Sequence, residues 1–365
     1  MEFNPGKSTR PPTQKEIDEF VKNTKSHPDI AVKFLSDCNN SVEWACLLFF
    51  QVSDELYEEK GVDVQKECED ILTDANKPST SKKAKIEEIG RSENLDFGLI
   101  SWNVNGISRV HEKSRIKGII KKIDESKPEV IFFQELNPTM AEILNKYLGP
   151  LYNIIYEDDD FNPNSNYFTA ICIVNNLKVL GKDFIPFRNS HMGRGCHLVK
   201  INLLNRKIAL LNTHLESGKE SSDTRVKQIK WCVDKMEELK QRGYDVIFGG
   251  DLNIRADEAK NIVPEKFDCF VKGGKPSKYN YTWRGEEIIL KKSDRPYVPK
   301  ARFDRLYHVG AYLHLSSYEH TGFEWLQKQD CALSDHLGIF VNFKFKPSDT
   351  PMSYSDNEIE DNDIV

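Results

Sequence analysis

The 365-residue chain has no cysteine spacing typical of a zinc site or a redox motif, since its eight cysteines form no C-x-x-C pair. No N-terminal segment resembles a signal peptide, and no apolar run approaches the length of a membrane span. We therefore expect reduced thiols in a soluble intracellular protein that has no membrane partner.

A positive net charge is also missing, because the formal charge is −6 at pH 7. Without a global basic field, any binding of nucleic acid must depend on a local patch. Hydrophobic residues make up 39% of the chain and include 20 phenylalanines, which is enough for a large core. The length allows one large domain or two unequal ones.

Two stretches lack whole classes of side chain. Residues 61–93 contain no aromatic residue and many charges, and residues 348–365 contain no Lys or Arg. Such compositions cannot supply a core, so we predict a linker over 59–93 and an acidic disordered tail over 348–365. Residues 1–12 carry Pro and charge without periodicity, which predicts a second disordered tail.

Residues 13–58 have helical periodicity. Thr13 and Glu16 form a capping-box pattern, and apolar spacing predicts three short amphipathic helices that begin near Thr13, Pro28 and Ser41. The second and third of these resemble the ubiquitin-associated (UBA-like) domain family. The residues that carry the resemblance are Ala31, Phe34, Leu35, Cys38, Asn39, Val42, Glu43, Ala45, Phe49 and Phe50. It implies ubiquitin as a partner, and a plain helical bundle remains the alternative.

From Leu95 the pattern changes to buried strands that alternate with amphipathic helices. This alternation predicts a layered α/β domain over residues 94–347. The predicted helices are Arg115–Ile123 and Asp223–Leu239. The predicted strands are Phe97–Trp102, Val130–Phe133, Asn153–Tyr156, Tyr167–Val174, His197–Leu203, Lys207–Leu211, Val246–Phe248, Ala301–Leu306 and Ile339–Phe345.

Polar side chains follow several of these strands, where packing alone would not require them. They are Asn103, Glu135, His214, Asp251 with Asn253, and Asp335 with His336. Glu135 suits a hard cation such as Mg²⁺, and Asp251 can orient and deprotonate a water molecule. The histidines and asparagines can donate hydrogen bonds to phosphoryl oxygens. Each residue alone could end a strand or form a turn, whereas the whole set indicates a phosphoryl-transfer site.

The stretch from Asp245 to Arg255 is the most informative of these strand ends. An apolar run leads into Gly249 and Gly250, which allow a turn or a close approach of another backbone. If the extended backbone continues past the glycines, Asp251 and Asn253 point to the same side. A carboxylate and an amide on one face can hold a metal, a water or a phosphate, with Asn253 positioning Asp251, and a Gly-Asp turn that caps the strand is the alternative.

The series of motifs resembles the endonuclease/exonuclease/phosphatase family. The motifs are Trp102-Asn103-x-x-Gly106, Gln134-Glu135, Thr213-His214, Gly250-Asp251-x-Asn253 and Ser334-Asp335-His336. The resemblance implies a four-layered α/β sandwich, two packed sheets flanked by helices, and hydrolysis that depends on Mg²⁺ or alternatively Mn²⁺. It also implies that Asp304 orients His336, a contact that fixes a histidine tautomer.

Within that family the chain is similar to the 5′-tyrosyl-DNA phosphodiesterase branch. The residues that carry this are Tyr167-Phe168-Thr169-Ala170, His214-Leu215-Glu216-Ser217, Arg255, Tyr281-Thr282-Trp283 and Phe303-Asp304-Arg305. The resemblance implies cleavage, in DNA repair, between the tyrosine of a trapped topoisomerase and a DNA 5′-phosphate. It implies single-stranded or 5′-overhang DNA as the partner, with a nuclear or additionally cytoplasmic location. The residues it assigns to substrate and DNA are Tyr167, Arg194, Glu216, Ser217, Arg255 and Trp283.

Alternatives from two classes remain open at this point. One is an abasic-site endonuclease or RNA deadenylase of the same family, and the other is a ubiquitin-binding adaptor with an inert nuclease-like domain. The complete acid, histidine and amide set favours an enzyme over an adaptor. No dedicated acid for an alkoxide leaving group stands out in the motifs, which favours a phenolate whose conjugate acid has a pKa of about 10.

Overall fold

The computed structural model describes residues 10–24, 28–37, 39–42, 45, 96–157, 167–260, 262–285 and 299–345. The predicted linker over 59–93 and the acidic tail over 348–365 lie outside these residues, as do most of the tail over 1–12 and most of the third N-terminal helix. The domain boundaries therefore stay predictions.

Two N-terminal helices are described, α1 (Gln14–Thr24) and α2 (Pro28–Asp37). The capping box before α1 is present, because Glu16 Oε2 accepts from Thr13 N at 2.6 Å and Thr13 Oγ1 accepts from Glu16 N at 3.4 Å. Buried Phe20 and Phe34 stack between the two helices with ring centroids 6.1 Å apart. The UBA-like assignment itself stays a prediction.

Two large mixed sheets form the body of the protein. The strands of the first sheet are β1 (Asp96–Asn103), β2 (Val130–Leu136), β3 (Tyr152–Tyr156), β4 (Phe168–Val174), β12 (Leu313–Thr321) and β15 (Gly338–Phe345). Those of the second are β5 (Lys178–Pro186), β6 (Gly195–Leu203), β7 (Arg206–His214), β8 (Asp245–Asp251) and β11 (Asp304–Val309). The first sheet has the strand order β12-β15-β1-β2-β4-β3, and the second has the order β11-β8-β7-β6-β5.

Helices cover the outer faces of both sheets. The longer ones are α3 (Glu112–Ser126), α4 (Pro138–Tyr147) and α5 (Ser222–Gln241), and the short ones are α6 (Ala256–Ala259) and α7 (Cys269–Lys272). Two short strand pairs lie outside the sheets: β9 (Trp283–Arg284) with β10 (Lys300–Ala301), and β13 (Trp325–Leu326) with β14 (Cys331–Ala332). Single turns of 3₁₀ helix occur at Glu265–Phe267 and Ser277–Tyr279.

Three hydrophobic clusters separate four layers. The cluster between the sheets contains Leu99 and Leu210, the one under α3 and α4 contains Ile100, and the one under α5 contains Leu211. Consecutive strand residues therefore enter different cores, and both faces of the central strands must be apolar. This is the four-layered α/β sandwich that the motifs implied.

Several predicted elements differ from the structure. The predicted strand Ala301–Leu306 is two strands, β10 and β11, because the chain leaves one sheet and enters another between them. Helix α4 was not predicted, yet Asn137 caps it by accepting from Met140 N at 2.9 Å. Strand β5 was also missed, since it is a half-exposed edge strand without a continuous apolar run.

No helix among the described residues combines the length and the apolar character needed to cross a membrane. The described cysteines Cys172, Cys196, Cys232, Cys269 and Cys331 are free and buried. Burial raises the pKa of the Cys269 thiol to about 12, so this cysteine is protonated at neutral pH.

Candidate active site

One edge of the sandwich collects the polar strand ends. Strands β1 and β2 pair in parallel, as do β7 and β8, and the hydrogen bond between Asn103 at the end of β1 and Asp251 at the end of β8 shows that all four carboxyl ends reach the same edge. Strand β11 begins there because it pairs antiparallel with β8, with Asp304 opposite Asp251. The predicted residues brought together are Asn103, Glu135, His214, Asp251, Asn253, Asp304 and His336.

Asp251 lies at the centre of this group and is almost completely buried. Asn103 Nδ2 donates to Asp251 Oδ2 at 2.9 Å, and the Nε2 atoms of His214 and His336 lie 3.4 and 3.7 Å from the same oxygen. Burial opposes the charge, but these neighbours outweigh it and lower the pKa of Asp251. Asp251 is therefore ionised and can accept a hydrogen bond from a water molecule at neutral pH.

Asn253 positions Asp251 through its backbone. The extended backbone does not continue, since Asn253 has φ +50°. Its backbone N–H, rather than its amide, donates to Asp251 Oδ1 at 3.0 Å, while Nδ2 donates to Leu215 O at 3.3 Å. Gly250, at φ +131°, lies inside β8 and approaches β7 closely, so a Cβ there would meet Thr213 O at 2.0 Å. The expectation of a shared side-chain face was wrong, because the chain leaves the strand after Asp251 and Asn253 adopts the left-handed conformation.

His336 makes the expected contact with Asp304, whose Oδ2 lies 2.7 Å from His336 Nδ1. Burial opposes the charge of His336, but Asp304, Asp335 and Asp251 outweigh it and raise its pKa well above the ordinary value. Ser334 Oγ accepts from the backbone N–H of His336 at 3.2 Å. The ring is thus held as an imidazolium with Nε2 facing Asp251.

His214 is held in the opposite charge state. Arg194 Nη1 lies 2.7 Å from His214 Nδ1, and a guanidinium only donates, so Nδ1 accepts and Nε2 carries the proton. Burial and the Arg194 charge lower the pKa of His214 to about 3. Nε2–H faces Asp251 and also lies 3.8 Å from Glu135 Oε1. The site therefore contains one neutral and one charged imidazole donor.

Glu135, His214 and Asp251 form a group that could hold a metal ion. His214 Nε2 has no free lone pair in this tautomer, so the carboxylate oxygens are the available ligands. Burial, opposed by His336 and reinforced by Asp251, raises the pKa of Glu135 to about 7. The ligands are all carboxylate oxygens, and the negative charge of Glu135 is unfavourable in this buried place unless a cation neutralises it. Both features fit a hard divalent cation.

A small pocket adjoins this group. Tyr167, Arg194, His214, Glu157 and Met192 line it together with their neighbours. The Arg194 guanidinium lies over the Tyr167 ring at 4.9 Å from its centroid, and the Tyr167 and His214 ring centroids are 6.3 Å apart. An aromatic face next to a cation suits a flat ring that develops negative charge on its oxygen.

Aromatic side chains extend from the other side of His336. Trp283 is half-buried, and its Nε1 donates to Asp335 Oδ2 at 3.1 Å. The ring centroids of Trp283 and Phe303 are 5.3 Å apart. The Arg255 guanidinium lies 5.9 Å from the Phe303 centroid, with its side chain 40% exposed. Phe303 was not predicted as a site residue, although its position directly before Asp304 could have indicated it.

Glu216 does not reach the surface, which corrects the expectation that it contacts DNA. It is fully buried, and its carboxylate accepts from Ser190 Oγ, His191 N, Met192 N and Gln228 Nε2. Burial opposes its charge, but these hydrogen bonds outweigh it and lower the pKa of Glu216. Glu216 therefore holds the loop that carries Arg194.

Ser217 lies beside the same loop. Its Oγ is 3.3 Å from Met192 Sδ, so the hydroxyl belongs to the rim of the Arg194 pocket. The side chain is half-buried rather than enclosed. Ser217 is thus accessible where Glu216 is not.

Two fully buried arginines, which we did not predict, hold the loops after the catalytic strands. Arg115 donates to the carbonyl oxygens of Val104, Asn105, Ser108, Val110 and Leu333. Arg225 donates to Glu216 O and Gly218 O, and pairs with Glu258 at 2.6 Å. Each arginine lies in the first turn of its helix, where a basic residue is unusual. An arginine at that position was the sequence signal that could have indicated these contacts.

Comparison with known proteins agrees with this geometry. Residues 100–336 match the model of the endonuclease/exonuclease/phosphatase family. A tyrosyl-DNA phosphodiesterase 2 of Rattus norvegicus is 30% identical over 336 residues, which cover 88% of this chain and 87% of that protein. A 5′-tyrosyl-DNA phosphodiesterase of Caenorhabditis briggsae is 27% identical and covers 90% of this chain and 89% of its own.

Solved structures are similar as well. The structure of Danio rerio TDP2 complexed with a single-strand DNA product is 30% identical, has a TM-score of 0.62, and covers 68% of this chain and 98% of its own. Truncated Caenorhabditis elegans TDP2 gives the same identity, TM-score and coverage. The chain therefore belongs to the endonuclease/exonuclease/phosphatase family, within its tyrosyl-DNA phosphodiesterase 2 group.

Proposed function

We propose that this chain is a Mg²⁺-dependent 5′-tyrosyl-DNA phosphodiesterase. It hydrolyses the bond between a protein tyrosine and a DNA 5′-phosphate, and it releases a 5′-phosphate end and a tyrosyl peptide. Its relatives bear this activity in their names, and one related structure contains a single-strand DNA product. Repair of DNA with trapped topoisomerase is the process that supplies such a substrate.

The pocket of Arg194 and Tyr167 is the observation that carries the proposal. It lies directly beside His214, so a tyrosine attached to a phosphate at the site has an aromatic face and a cation next to it. The phenolate that leaves carries negative charge, which the Arg194 guanidinium stabilises. A sugar alkoxide has no aromatic ring that could pack against Tyr167.

The residues of the site have separate tasks in the reaction. Asp251, held by Asn103 and Asn253, orients the attacking water and accepts its proton. Protonated His336, aligned by Asp304, and the Nε2–H of neutral His214 donate hydrogen bonds to the phosphoryl oxygens as charge develops on them.

Glu135 would hold the metal ion, with Asp251 as the neighbouring carboxylate, and Asn103 would lie near the phosphate. The oxygen ligands favour Mg²⁺, and Mn²⁺ could replace it. When bound, such an ion neutralises charge on the phosphate and polarises it towards attack.

The aromatic pair of Trp283 and Phe303 supports binding of single-stranded DNA or a 5′ overhang. Unpaired bases can stack on the accessible parts of these half-buried rings, and Arg255 beside Phe303 can contact a phosphate. Because the net charge is −6, such local contacts rather than a global field must hold the DNA.

The N-terminal helices and the cellular location are a separate part of the proposal. Ubiquitin binding by residues 13–58 is supported by the resemblance of the sequence to UBA-like domains. A nuclear location, with a cytoplasmic pool as an alternative, follows from DNA as the substrate. Pull-down with ubiquitin and imaging of a tagged chain would test these points.

Hydrolysis of a 5′-phosphotyrosyl oligonucleotide with and without Mg²⁺ tests the central proposal. We expect release of tyrosine and a 5′-phosphate only when the divalent ion is present. Activity that persists in excess chelator, or none on this substrate with any divalent ion, would exclude the assignment.

A further inference from the structure

Glu135 occupies an unusual backbone conformation. Phe133 pairs with Ala170 across β2 and β4, but the next pair is Leu136 with Phe168, so β2 has one extra residue and forms a β-bulge. Glu135 lies in this bulge at φ +55°, the left-handed region that a non-glycine residue adopts at a cost of about 1–2 kcal/mol. Contacts from outside the strand must hold the bulge in place.

Asn212 makes some of those contacts from the second sheet, while Val104 N and Gly106 N in the loop after β1 donate to Gln134 O and Glu135 O. Its Nδ2 donates to Phe133 O at 3.1 Å and to Ala170 O at 2.9 Å, the carbonyls that border the bulge on β2 and β4. Its Oδ1 accepts from Gln134 Nε2 at 2.8 Å. Asn212 is fully buried, so every hydrogen bond of its amide is used within the protein. Without them, buried carbonyls would lose their partner.

Asn212 also connects the two halves of the site. It precedes His214 by two residues on β7, and the bulge it holds places Glu135 Oε1 3.8 Å from His214 Nε2. Glu135 belongs to the first sheet, whereas His214 and Asp251 belong to the second. Because a misplacement of about 1 Å at a catalytic group can cost about a hundredfold in rate, the spacing of the sheets here needs a fixed link.

We propose that Asn212 is a positioning residue that keeps Glu135 aimed at the metal site, with Gln134 orienting the Asn212 amide. This inference rests on the proposed function, since it takes Glu135 as the metal ligand. Loss of residues that orient a metal ligand typically weakens metal affinity about 10- to 100-fold. We expect a loss in this range without the Asn212 amide.

Calorimetric titration of the purified full chain with Mg²⁺, in the absence of substrate, tests the inference. Asn212→Leu has nearly the same size and removes both donors, and it should weaken Mg²⁺ binding about tenfold or more. Leu210→Ala is the matched control, because Leu210 is buried on the same face of β7 and has no side-chain atom that could hydrogen-bond to the bulge. It should lower the melting temperature yet leave the Mg²⁺ dissociation constant within about twofold.

Two outcomes would overturn this inference without affecting the proposed function. One is a folded Asn212→Leu variant that binds Mg²⁺ like the unaltered chain, and the other is an equal loss of affinity in Leu210→Ala. If Asn212→Leu does not fold, Gln134→Met decides, since it leaves both donors but frees the amide to turn. An unchanged Mg²⁺ affinity in Gln134→Met then contradicts the inference.

Glu135→Gln separates this inference from the proposed function. A normal Mg²⁺ affinity in Glu135→Gln would show that Glu135 is not the metal ligand, which would overturn this inference and the role of Glu135 in the proposed function. A loss of affinity in Glu135→Gln but not in Asn212→Leu would leave the proposed function standing.

Discussion

At the scale of single residues, chemically similar side chains have different protonation states because their surroundings differ. His214 accepts from Arg194 and is neutral, whereas His336 donates to Asp304 and is charged. Asp251 has a lowered pKa and Glu135 a raised one, because histidines and an amide surround the first while burial dominates the second. The division of labour between carboxylates follows from these contacts.

The different tasks of Glu135 and Asp251 give the first prediction. Glu135→Gln should raise the Mg²⁺ concentration needed for half-maximal rate, since a metal ligand is lost. Asp251→Asn should lower kcat at least about a hundredfold while DNA still binds, because the group that orients and deprotonates water is lost. Steady-state rates and fluorescence anisotropy with a labelled oligonucleotide measure both effects. Near-normal turnover by Asp251→Asn would contradict the mechanism.

Buried His197 gives a prediction about pH and stability. Burial lowers its pKa to about 4, against an ordinary value of about 6.5. Below pH 6.5 the His197 side chain binds a proton in the unfolded chain but not in the folded one. Its contribution to the free energy of unfolding is therefore fully present above pH 6.5 and is lost as pH falls towards 4. The loss between pH 7.5 and pH 5 amounts to roughly 1–2 kcal/mol.

His197→Gln isolates this effect. Its Nε2 can still donate to Thr169 Oγ1, which lies 3.0 Å from His197 Nε2, but it does not titrate. Urea unfolding at pH 7.5 and pH 5 should therefore show a smaller drop in stability than in the unaltered chain. The same substitution at exposed His314 is the control. Equal pH dependence in His197→Gln and the unaltered chain would show that folding does not lower the pKa of His197.

At the scale of secondary-structure elements, the loops that carry the chemistry are held by buried side chains on neighbouring helices. Arg225 of α5 binds the loop after β7 and, through Glu258, the segment after β8. A buried pair of this kind is destabilising when only one partner is removed, by about 3–5 kcal/mol. The active-site loops therefore depend on the start of α5.

Arg225→Met should accordingly lower the stability of the domain by several kcal/mol, since the nearly buried Glu258 loses its guanidinium partner and keeps only neutral donors from Ser222 and the Arg255 backbone. Glu258→Met in the same chain should restore part of the loss. Lys235→Met on α5 breaks only an exposed pair with Glu238 and should cost less than about 1 kcal/mol. Denaturant unfolding gives the comparison. If the single and double variants were equally unstable, the uncompensated charge would not be the cause.

The sequence predicted the central elements because their strands are apolar on both faces, as in Val246–Phe248, and their ends carry polar motifs. It did not predict β5, an edge strand whose partly exposed face lacks that signal. It placed Asp251 and Asn253 on one face because periodicity cannot show that the strand ends at Asp251 and that Asn253 is left-handed. The role of Asn212 was missed for a similar reason, as its partners belong to the other sheet.

At the scale of the whole molecule, the chain joins an N-terminal helical segment to a catalytic domain that contains every site residue. The predicted linker has few residues able to form a core. Deleting residues 1–92 should leave kcat/KM on a short phosphotyrosyl oligonucleotide within about twofold and remove any ubiquitin binding. A folded but inactive truncated chain would show that the two parts depend on one another.

The most direct test of the whole account is the ratio of two rates under the same conditions. One substrate is a 5′-phosphotyrosyl oligonucleotide, and the other is a duplex of similar length with an abasic site. Because the site offers Arg194 and Tyr167 to a phenolate but no dedicated acid to an alkoxide, kcat/KM should be at least about a hundredfold higher for the phosphotyrosyl end. Incision at the abasic site as fast as tyrosine release would contradict the account.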